Sequence, residues 1–339
     1  MDFLPKGRPF VVAEAGVNHN GKTALALKLV DVAAAAGADA VKFQTFKADD
    51  LATASAPKAK YQKRAGNQSQ LEMLRKLQLS DEGHRAVVRR CRQRGVVFMS
   101  TPFDDRSVDF LDSLGMKVFK IPSGEVTNDP LLSRIARKRK PVILSTGMST
   151  LDEVQGAVKV LRANGAPSIA LLHCVSSYPA NAKDVNLRAM GTLAEAFALP
   201  TGYSDHTLGL EIAFAAAALG ARIIEKHFTL DKRLTGPDHA MSLSPGELKT
   251  LCAGLKKVAV SLGDGRKQPT PPEREIMKVA RRSIVLARAL PAGAKLRLED
   301  LAFKRPGTGL SPRELPKVLG KTLRSASAAD ALVTPAMLR

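Results

Sequence analysis

The chain has 339 residues, 45% of them hydrophobic, which is enough for one large domain with a buried core and a second, smaller domain. Its longest apolar run, residues 212–219, is too short to span a bilayer, and its first ten residues lack the apolar core of a secretory signal. Three widely spaced cysteines, Cys91, Cys174 and Cys252, predict neither a disulfide framework nor a zinc cluster. We therefore expect a cytoplasmic protein without a membrane segment.

The formal net charge of +20 raises the question of nucleic-acid binding. Aromatic residues make up only 4% of the chain, tryptophan is absent, and residues 137–140 form the one dense basic run. Residues 276–339 hold 13 Lys and Arg against 4 Asp and Glu, a charge of +9. A basic surface that is solvated or attracts small anions fits this pattern better than a nucleic-acid partner does.

Short β-rich apolar runs alternate with Ala- and Leu-rich helical stretches eight times over about 260 residues. The predicted strands are 10–13, 40–44, 96–100, 118–121, 142–145, 169–173, 201–203 and 223–227. This repeat predicts the α/β class and, within it, a (β/α)₈ TIM barrel. The competing fold, a doubly wound sheet, is disfavoured because no GxGxxG follows the first strand.

The domain boundaries follow from changes in composition. Residues 1–262 form the predicted barrel, 263–275 are rich in Gly and Pro and predict a linker, and 276–339 predict a small compact domain of short β-type runs. Residues 48–80 are too long for a plain connection between a strand and its helix. An insertion of this length at the rim of a barrel is expected to cover or line the site.

Polar side chains end all eight predicted strands, where the site of such a barrel lies. Because inward-facing charges cost stability unless they are paired or used, this repetition indicates function. The strand-end residues include Glu14, Lys42, Gln44, Thr101, Lys120, Ser123, Glu125, Ser145, His173, Ser204, Asp205, His206, Glu225 and His227.

These residues divide by their chemistry. Lys42 and Lys120 offer two cations among several neutral donors, which suits a phosphate and a carboxylate together. After the fifth strand, Thr150 and Glu153 have the spacing of a capping box at a helix N-terminus.

The histidines also divide into groups. His206 and His227 end successive strands, and two imidazoles among oxygen ligands suit a divalent metal such as Mn²⁺ with positions left open for substrate. His84 is expected on a solvated helix face. His239 follows Asp238 in a loop beyond the eighth strand, from which both can cover the site.

Ten motifs in chain order resemble the bacterial N-acetylneuraminate synthases, and the resemblance runs from about residue 9 to 330. They are EAGVNHNG (14–21), VKFQT (41–45), STPFD (100–104), KIPSGE (120–125), LSTGM (144–148), LLHCVSSYP (171–179), GYSDHTLG (202–209), EKHFTL (225–230), GPDH (236–239) and KRPGTGL (304–310). The resemblance implies a phosphoenolpyruvate-dependent barrel followed by a small antifreeze-like (SAF) domain. It also implies a homodimer in which the small domain of one subunit caps the active site of the other.

The resemblance also implies roles for individual residues. The expected metal is Mn²⁺, with Mg²⁺ or Co²⁺ as alternatives, held by His206 and His227. The sugar contacts are expected from Glu14, Asn67, Tyr178 and Asp238, with Arg305 contributed across the dimer. Phosphoenolpyruvate is expected to contact Gln44, Thr101, Lys120, Ser123, Ser145 and Ser204, with Lys42 nearby.

The expected reaction condenses phosphoenolpyruvate with the open-chain aldehyde of N-acetylmannosamine and water to give N-acetylneuraminate and phosphate. The residues expected to act in it are Glu14, Lys42, Lys120, Glu125 and Asp238. Lys42 and Lys120 would stabilise the phosphate, and Glu125 would assist the water.

Three alternatives stay open. The first is the same reaction on another amino sugar, as in a legionaminic or pseudaminic acid synthase, or on a phosphorylated mannosamine. The others are a Schiff-base aldolase that uses Lys42 or Lys120, and a non-catalytic protein that binds anions or nucleic acid.

Overall fold

The computed structural model describes residues 1, 3–58 and 68–339 and divides the chain into two compact units, Met1–Gly263 and Asp264–Arg339. The division falls one residue after the predicted end of the barrel domain. A helix over Pro271–Ala280 covers the second predicted boundary, at 275/276, so the helix joins residues assigned to the linker and to the small domain. The role of residues 263–275 as a linker stays a prediction.

The first unit is built on eight parallel strands. Their order is β3-β2-β1-β8-β7-β6-β5-β4, and the two end strands of this order, β3 and β4, lie side by side. The predicted barrel is therefore confirmed. The strands are β1 Phe10–Gly16, β2 Ala40–Thr45, β3 Val97–Pro102, β4 Phe119–Ile121, β5 Val142–Ser145, β6 Ile169–Cys174, β7 Thr201–Asp205 and β8 Ile223–His227.

Helices follow the strands, with two additional helices in the segment after β2. They are α1 Thr23–Ala36, α2 Ala48–Leu51, α3 Gln70–Leu77, α4 Asp81–Arg94, α5 Asp105–Ser113, α6 Asp129–Ala136, α7 Leu151–Ala163, α8 Ala189–Phe197, α9 Glu211–Ala218 and α10 Pro245–Ser261. The predicted capping box begins α7: Glu153 N donates to Thr150 Oγ1, and Thr150 N donates to Glu153 Oε2 at 2.7 Å. These bonds use N–H groups that the helix leaves unpaired.

The inside of the barrel changes from apolar to mostly polar over two residues along most of its strands. Its lower layer is a buried apolar cluster that includes Val12, Ala40, Met99, Val118, Ile143, Leu172 and Ile223. Since successive side chains alternate between the two faces of a strand, the residues two positions later also face inward. Those residues are Glu14, Lys42, Thr101, Lys120, Ser145, Cys174 and Glu225. The apolar layer thus lies directly beneath a polar site.

The second unit has its own core, which includes the buried side chains of Ile284, Leu286, Leu296, Val318, Leu323 and Val333. Its elements are α11 Pro271–Ala280, β9 Ser283–Leu286, β10 Leu301–Lys304 and α12 Leu315–Val318, with β9 and β10 antiparallel. In the part of the chain that the structure describes, no helix is long and apolar enough to cross a membrane.

The expectation of a solvated His84 was wrong. The side chain is buried in α4, its Nε2 lies 2.9 Å from Thr45 Oγ1, and its Nδ1 lies 3.0 Å from the carbonyl oxygen of Ser80. Burial lowers the pKa of this imidazole, so the neutral ring serves as part of the wall behind β2.

Gly202 in β7 gives a test of the barrel packing. An added Cβ would lie 2.3 Å from the carbonyl oxygen of Ile223 and 2.8 Å from Leu172 Cδ2, and neither strand can move without its neighbours. We expect Gly202→Ala to destabilise the protein by about 1–3 kcal/mol or more. Gly191→Ala in α8, where the added Cβ meets open space, should be neutral or stabilising by ~0.5–1 kcal/mol. Thermal unfolding followed by circular dichroism compares the two, and equal midpoints would contradict the packing described.

Candidate active site

A cavity of about 390 Å³ lies at the C-terminal ends of the barrel strands. Eleven of the predicted site residues line it, which confirms that the fold brings the strand ends together. They are Glu14, Lys42, Gln44, Thr101, Lys120, Ser123, Ser145, Tyr178, Ser204, His206 and His227.

Four buried charged groups form the floor of this cavity. Lys42 Nζ lies 2.9 Å from Glu14 Oε2 and 3.6 Å from Glu225 Oε2. Lys120 Nζ lies 3.6 Å from Glu225 Oε1, which also accepts a hydrogen bond from Ser204 Oγ at 2.9 Å. Glu225 is therefore shared between both lysines.

The pKa values show how the cluster divides its charge. Burial raises the pKa of Glu14 to about 7, against the opposing effect of Lys42. For Glu225 burial acts in the same direction, but the ammonium groups of Lys120 and Lys42 outweigh it and lower its pKa to about 2. Burial lowers the pKa of Lys120, whereas Glu14 and Glu225 overcome burial at Lys42 and raise its pKa. With Glu14 partly protonated near neutral pH, the floor carries excess positive charge and suits an anion.

Neutral donors surround the charged groups. Ser145 Oγ is buried without a hydrogen-bond partner among the described residues, and such a group is normally satisfied by a ligand or water. Ser123 Oγ accepts a hydrogen bond from Gly147 N at 2.9 Å and lies 3.1 Å from Cys174 Sγ. The donors therefore come from several strand ends around one space.

His206 and His227 lie together at the side of the cavity, with ring centroids 5.6 Å apart. His206 Nδ1 lies 2.8 Å from the carbonyl oxygen of Val175, an arrangement in which Nδ1 donates and Nε2 keeps its lone pair. Burial lowers the pKa of His206 to about 4, and burial together with His206 holds the pKa of His227 well below its usual value. Both imidazoles are thus neutral at neutral pH, the form that binds a metal.

The donor set near these histidines fits a divalent cation. His227 Nδ1 is buried and makes no hydrogen bond within the described residues, and Asp238 Oδ2 lies 4.0 Å away from it. Burial raises the pKa of Asp238 to about 6. No group of three His, Cys, Asp or Glu side chains within residues 1, 3–58 and 68–339 forms a metal cluster, so an ion on the two histidines would take its other ligands from substrate or water.

Four predicted site residues do not line the main cavity. Asp238 lines a smaller cavity that shares Gln44, Tyr178 and His227 with the larger one. Glu125 accepts a hydrogen bond from Asn128 Nδ2 at 2.6 Å, next to the start of α6. Arg305 belongs to the second unit, where its Nε donates to the carbonyl oxygen of Ala280 at 3.0 Å. Asn67 lies outside the described residues.

Glu225 was noted at a strand end but received no role in the sequence-based assignment. Its signal was the two-residue alternation that places it on the face of His227, directly below it in β8. The sequence does not show that two lysines from β2 and β4 converge on this one carboxylate. Cys174 and Ser176, which also line the cavity, were likewise missed.

The barrel and its strand-end cavity define a (β/α)₈ enzyme with a buried charged floor and a histidine pair. Comparison with known proteins then gives the family: residues 29–267 match the model of the NeuB family, and residues 281–339 match that of the SAF domain. The chain belongs to the NeuB family, and its expected relationship to the sialic acid synthases is confirmed.

The relatives name two kinds of sugar. The chain is 50% identical to the N,N'-diacetyllegionaminic acid synthase of Legionella pneumophila, over 93% of this chain and 90% of that protein. It is 47% identical to the Campylobacter jejuni synthase of the same name, over 93% and 95% of the two chains. Among solved structures, the N-acetylneuraminic acid synthetase of Leptospira borgpetersenii in complex with citrate is 35% identical, with a TM-score of 0.71 over 80% of this chain and 91% of that one.

The raised pKa of Glu14 generates a prediction about stability and pH. The folded protein holds this proton up to about pH 7, whereas an ordinary glutamate releases it near 4.5. Between these values the folded state binds more protons than the unfolded chain, so the contribution of Glu14 to stability falls as pH rises. We expect Glu14→Gln to gain stability relative to the unmodified protein between pH 5 and 8, by on the order of 2 kcal/mol.

Thermal unfolding at four pH values measures this difference. Glu195→Gln on the exposed face of α8 is the matched control and should follow the unmodified protein throughout. Parallel curves for Glu14→Gln and the unmodified protein would show that Glu14 is ionised over the whole range.

Proposed function

We propose that this chain is an N,N'-diacetyllegionaminic acid synthase, which joins phosphoenolpyruvate to a diacetamido sugar aldehyde. The two relatives of that name, at 50% and 47% identity, support this alternative over the expected N-acetylmannosamine. Removing the three carbons of phosphoenolpyruvate from a nine-carbon product leaves a six-carbon aldehyde. Both acetyl groups of the product must then come from that aldehyde.

The buried cluster of Lys42, Lys120 and Glu225 is the observation that carries the phosphoenolpyruvate part of the proposal. Phosphoenolpyruvate carries a phosphate and a carboxylate on the same carbon, C2, and a cavity floor with excess positive charge suits such a pair. Ser145 Oγ, which makes no hydrogen bond within the described residues, lies in the same cavity and can donate a hydrogen bond to phosphoenolpyruvate. Because these groups are held by strands, little reorganisation is needed when the anion arrives.

The histidine pair would hold the metal beside this anion. A divalent ion on His206 and His227, Mn²⁺ in our proposal, would supply Lewis acidity to the aldehyde oxygen of the sugar. The chain itself does the positioning: Lys42 and Lys120 fix the phosphate end, and Glu14 and Asp238 orient the sugar. Holding both substrates in one cavity supplies much of the rate enhancement in such a bimolecular reaction.

The bond changes follow from the substrates. C3 of phosphoenolpyruvate forms a bond to the aldehyde carbon, water adds at C2, and the C2–O bond breaks to release phosphate. Lys120 and Lys42 stabilise the negative charge of the phosphate as it leaves. A role of Glu125 in guiding the water stays part of the proposal, although its carboxylate accepts from Asn128.

Three further features belong to the proposal. They are a homodimer with swapped C-terminal domains, a sugar contact from Arg305 across that dimer, and a cytoplasmic location. The SAF domain match over residues 281–339 supports the first two, because this domain follows the barrel as a separate compact unit.

The choice of sugar is tested by a panel of acceptors. With phosphoenolpyruvate and Mn²⁺, we expect the diacetamido six-carbon sugar to give at least a tenfold higher kcat/KM than N-acetylmannosamine, because a misfit of one group in a pocket costs about 1–3 kcal/mol. Phosphate release and product mass measure turnover. Chelation of the metal should stop it, and borohydride with pyruvate should trap no protein adduct. A preference for N-acetylmannosamine would contradict the proposal and indicate an N-acetylneuraminate synthase.

The role of Lys120 is tested separately. Removing one partner of a buried charge interaction typically costs about 2–5 kcal/mol, so Lys120→Ala should lower kcat/KM for phosphoenolpyruvate by about 30-fold or more. Lys117→Ala, three residues earlier and exposed, should keep the original value. Equal values for both variants, with circular dichroism showing intact folds, would mean that Lys120 does not contact the anion.

A further inference from the structure

A side pocket opens from the active-site cavity, next to His227. It has a volume of about 70 Å³ and shares Gln44, Tyr178 and His227 with the larger cavity. A sugar bound beside the histidine pair would therefore reach the side pocket with a substituent on one of its ring-derived carbons.

The outer wall of the side pocket is apolar. It consists of Val17, Met73, Leu77 and Pro237, of which the first three are buried together in a small cluster. The cluster joins the loop after β1 to helix α3. Gly21 allows this approach, because its φ is +71° and an added Cβ would lie 2.4 Å from the carbonyl oxygen of Lys76.

Two polar side chains face this wall. Asp238 is buried, and its carboxylate makes no hydrogen bond with the described residues; its Oδ2 lies 4.0 Å from His227 Nδ1. The amide of Gln44, half-buried at the end of β2, also makes no side-chain hydrogen bond within the described part of the chain. A buried acceptor and a nearby amide without partners indicate a ligand that offers both a donor and an acceptor.

We propose that the side pocket receives an N-acyl group of the acceptor sugar, the one that distinguishes the diacetamido sugar from N-acetylmannosamine. This inference rests on the proposed function, since it assumes a diacetamido acceptor. The acyl N–H donates to Asp238, and the methyl group packs against Met73 and Leu77. The acyl carbonyl accepts from one N–H of the Gln44 amide, which leaves the second N–H for phosphoenolpyruvate in the larger cavity. A hydroxyl at the same carbon would leave the apolar wall uncovered and the Gln44 amide without its acceptor.

The volume sets the size of the acyl group. The side pocket is small, at about 70 Å³ against about 390 Å³ for the main cavity, and Met73 and Leu77 line it, so an acyl chain longer than acetyl would press against these two side chains. The side pocket therefore selects by length as well as by polarity.

The experiment enlarges the pocket and changes the acyl chain together. We expect the unmodified protein to prefer the acetyl sugar over its butanoyl analogue by at least tenfold in kcat/KM. Met73→Ala should lower the acetyl-to-butanoyl ratio of kcat/KM by at least tenfold, because truncating Met73 makes room for the longer acyl chain. Leu74→Ala is the matched control: it truncates the next residue of α3, which lines neither cavity, and should keep the original ratio.

The outcomes separate the two proposals. If the unmodified protein prefers N-acetylmannosamine, the proposed function fails, whatever the variants do. If it prefers the diacetamido sugar but Met73→Ala and Leu74→Ala show the same acetyl-to-butanoyl ratio, the side pocket is not the acyl site. Should Met73→Ala fail to fold, Val17→Ala enlarges the same wall from the loop after β1 and should shift the ratio in the same direction.

Discussion

The shared carboxylate of Glu225 is the interaction on which the site depends. Two ammonium groups, Lys42 and Lys120, each lie 3.6 Å from one of its oxygens inside a closed barrel. Without this carboxylate the two buried ammonium groups would repel each other. Removing one partner from a buried ion pair is strongly destabilising. Because a single ionised carboxylate neutralises only one of the two lysines, and Glu14 is partly protonated, the floor stays attractive to an anion.

The arrangement follows from barrel geometry. The charged residues come from β1, β2, β4 and β8, which are distant in sequence and meet only when the sheet curves round to bring β3 beside β4. The apolar layer two residues below packs beneath these charged side chains and excludes water from that side of the site. The buried charged side chains, whose desolvation costs free energy, are thus held by strands of the barrel. The result is a preorganised electrostatic site.

Much of this could be predicted from the sequence, because period-two alternation identifies which strand residues face inward. Lys42 and His227 were found in this way, and Lys120 and His206 were found from their positions at the ends of predicted strands. Alternation does not say which inward residues touch, so the sharing of Glu225 was missed.

Helix residues were harder to place. The burial of His84 depends on packing between α4 and β2, which a helical pattern alone does not reveal. The side pocket depends on how closely α3 approaches the loop after β1. Gly21 permits that approach at Lys76, 55 residues later in the chain.

The two cavities divide recognition between two physical principles. Charged and hydrogen-bonding groups dominate in the larger cavity, where we propose that phosphoenolpyruvate binds. Apolar contact with one acceptor and one donor dominates in the smaller cavity, where relatives acting on different sugars are expected to differ. Gln44, Tyr178 and His227 line both, so they lie where the new bond would form between the two substrates.

A crystal structure of the chain with phosphoenolpyruvate tests the central claim most directly. We expect phosphate or carboxylate oxygens within hydrogen-bond distance of Lys120 Nζ, Lys42 Nζ and Ser145 Oγ, with Glu225 still between the two lysines. Phosphoenolpyruvate bound elsewhere, with Lys42 and Lys120 paired only to Glu14 and Glu225 and Ser145 Oγ without a ligand contact, would show that the cluster is structural and does not bind the anion.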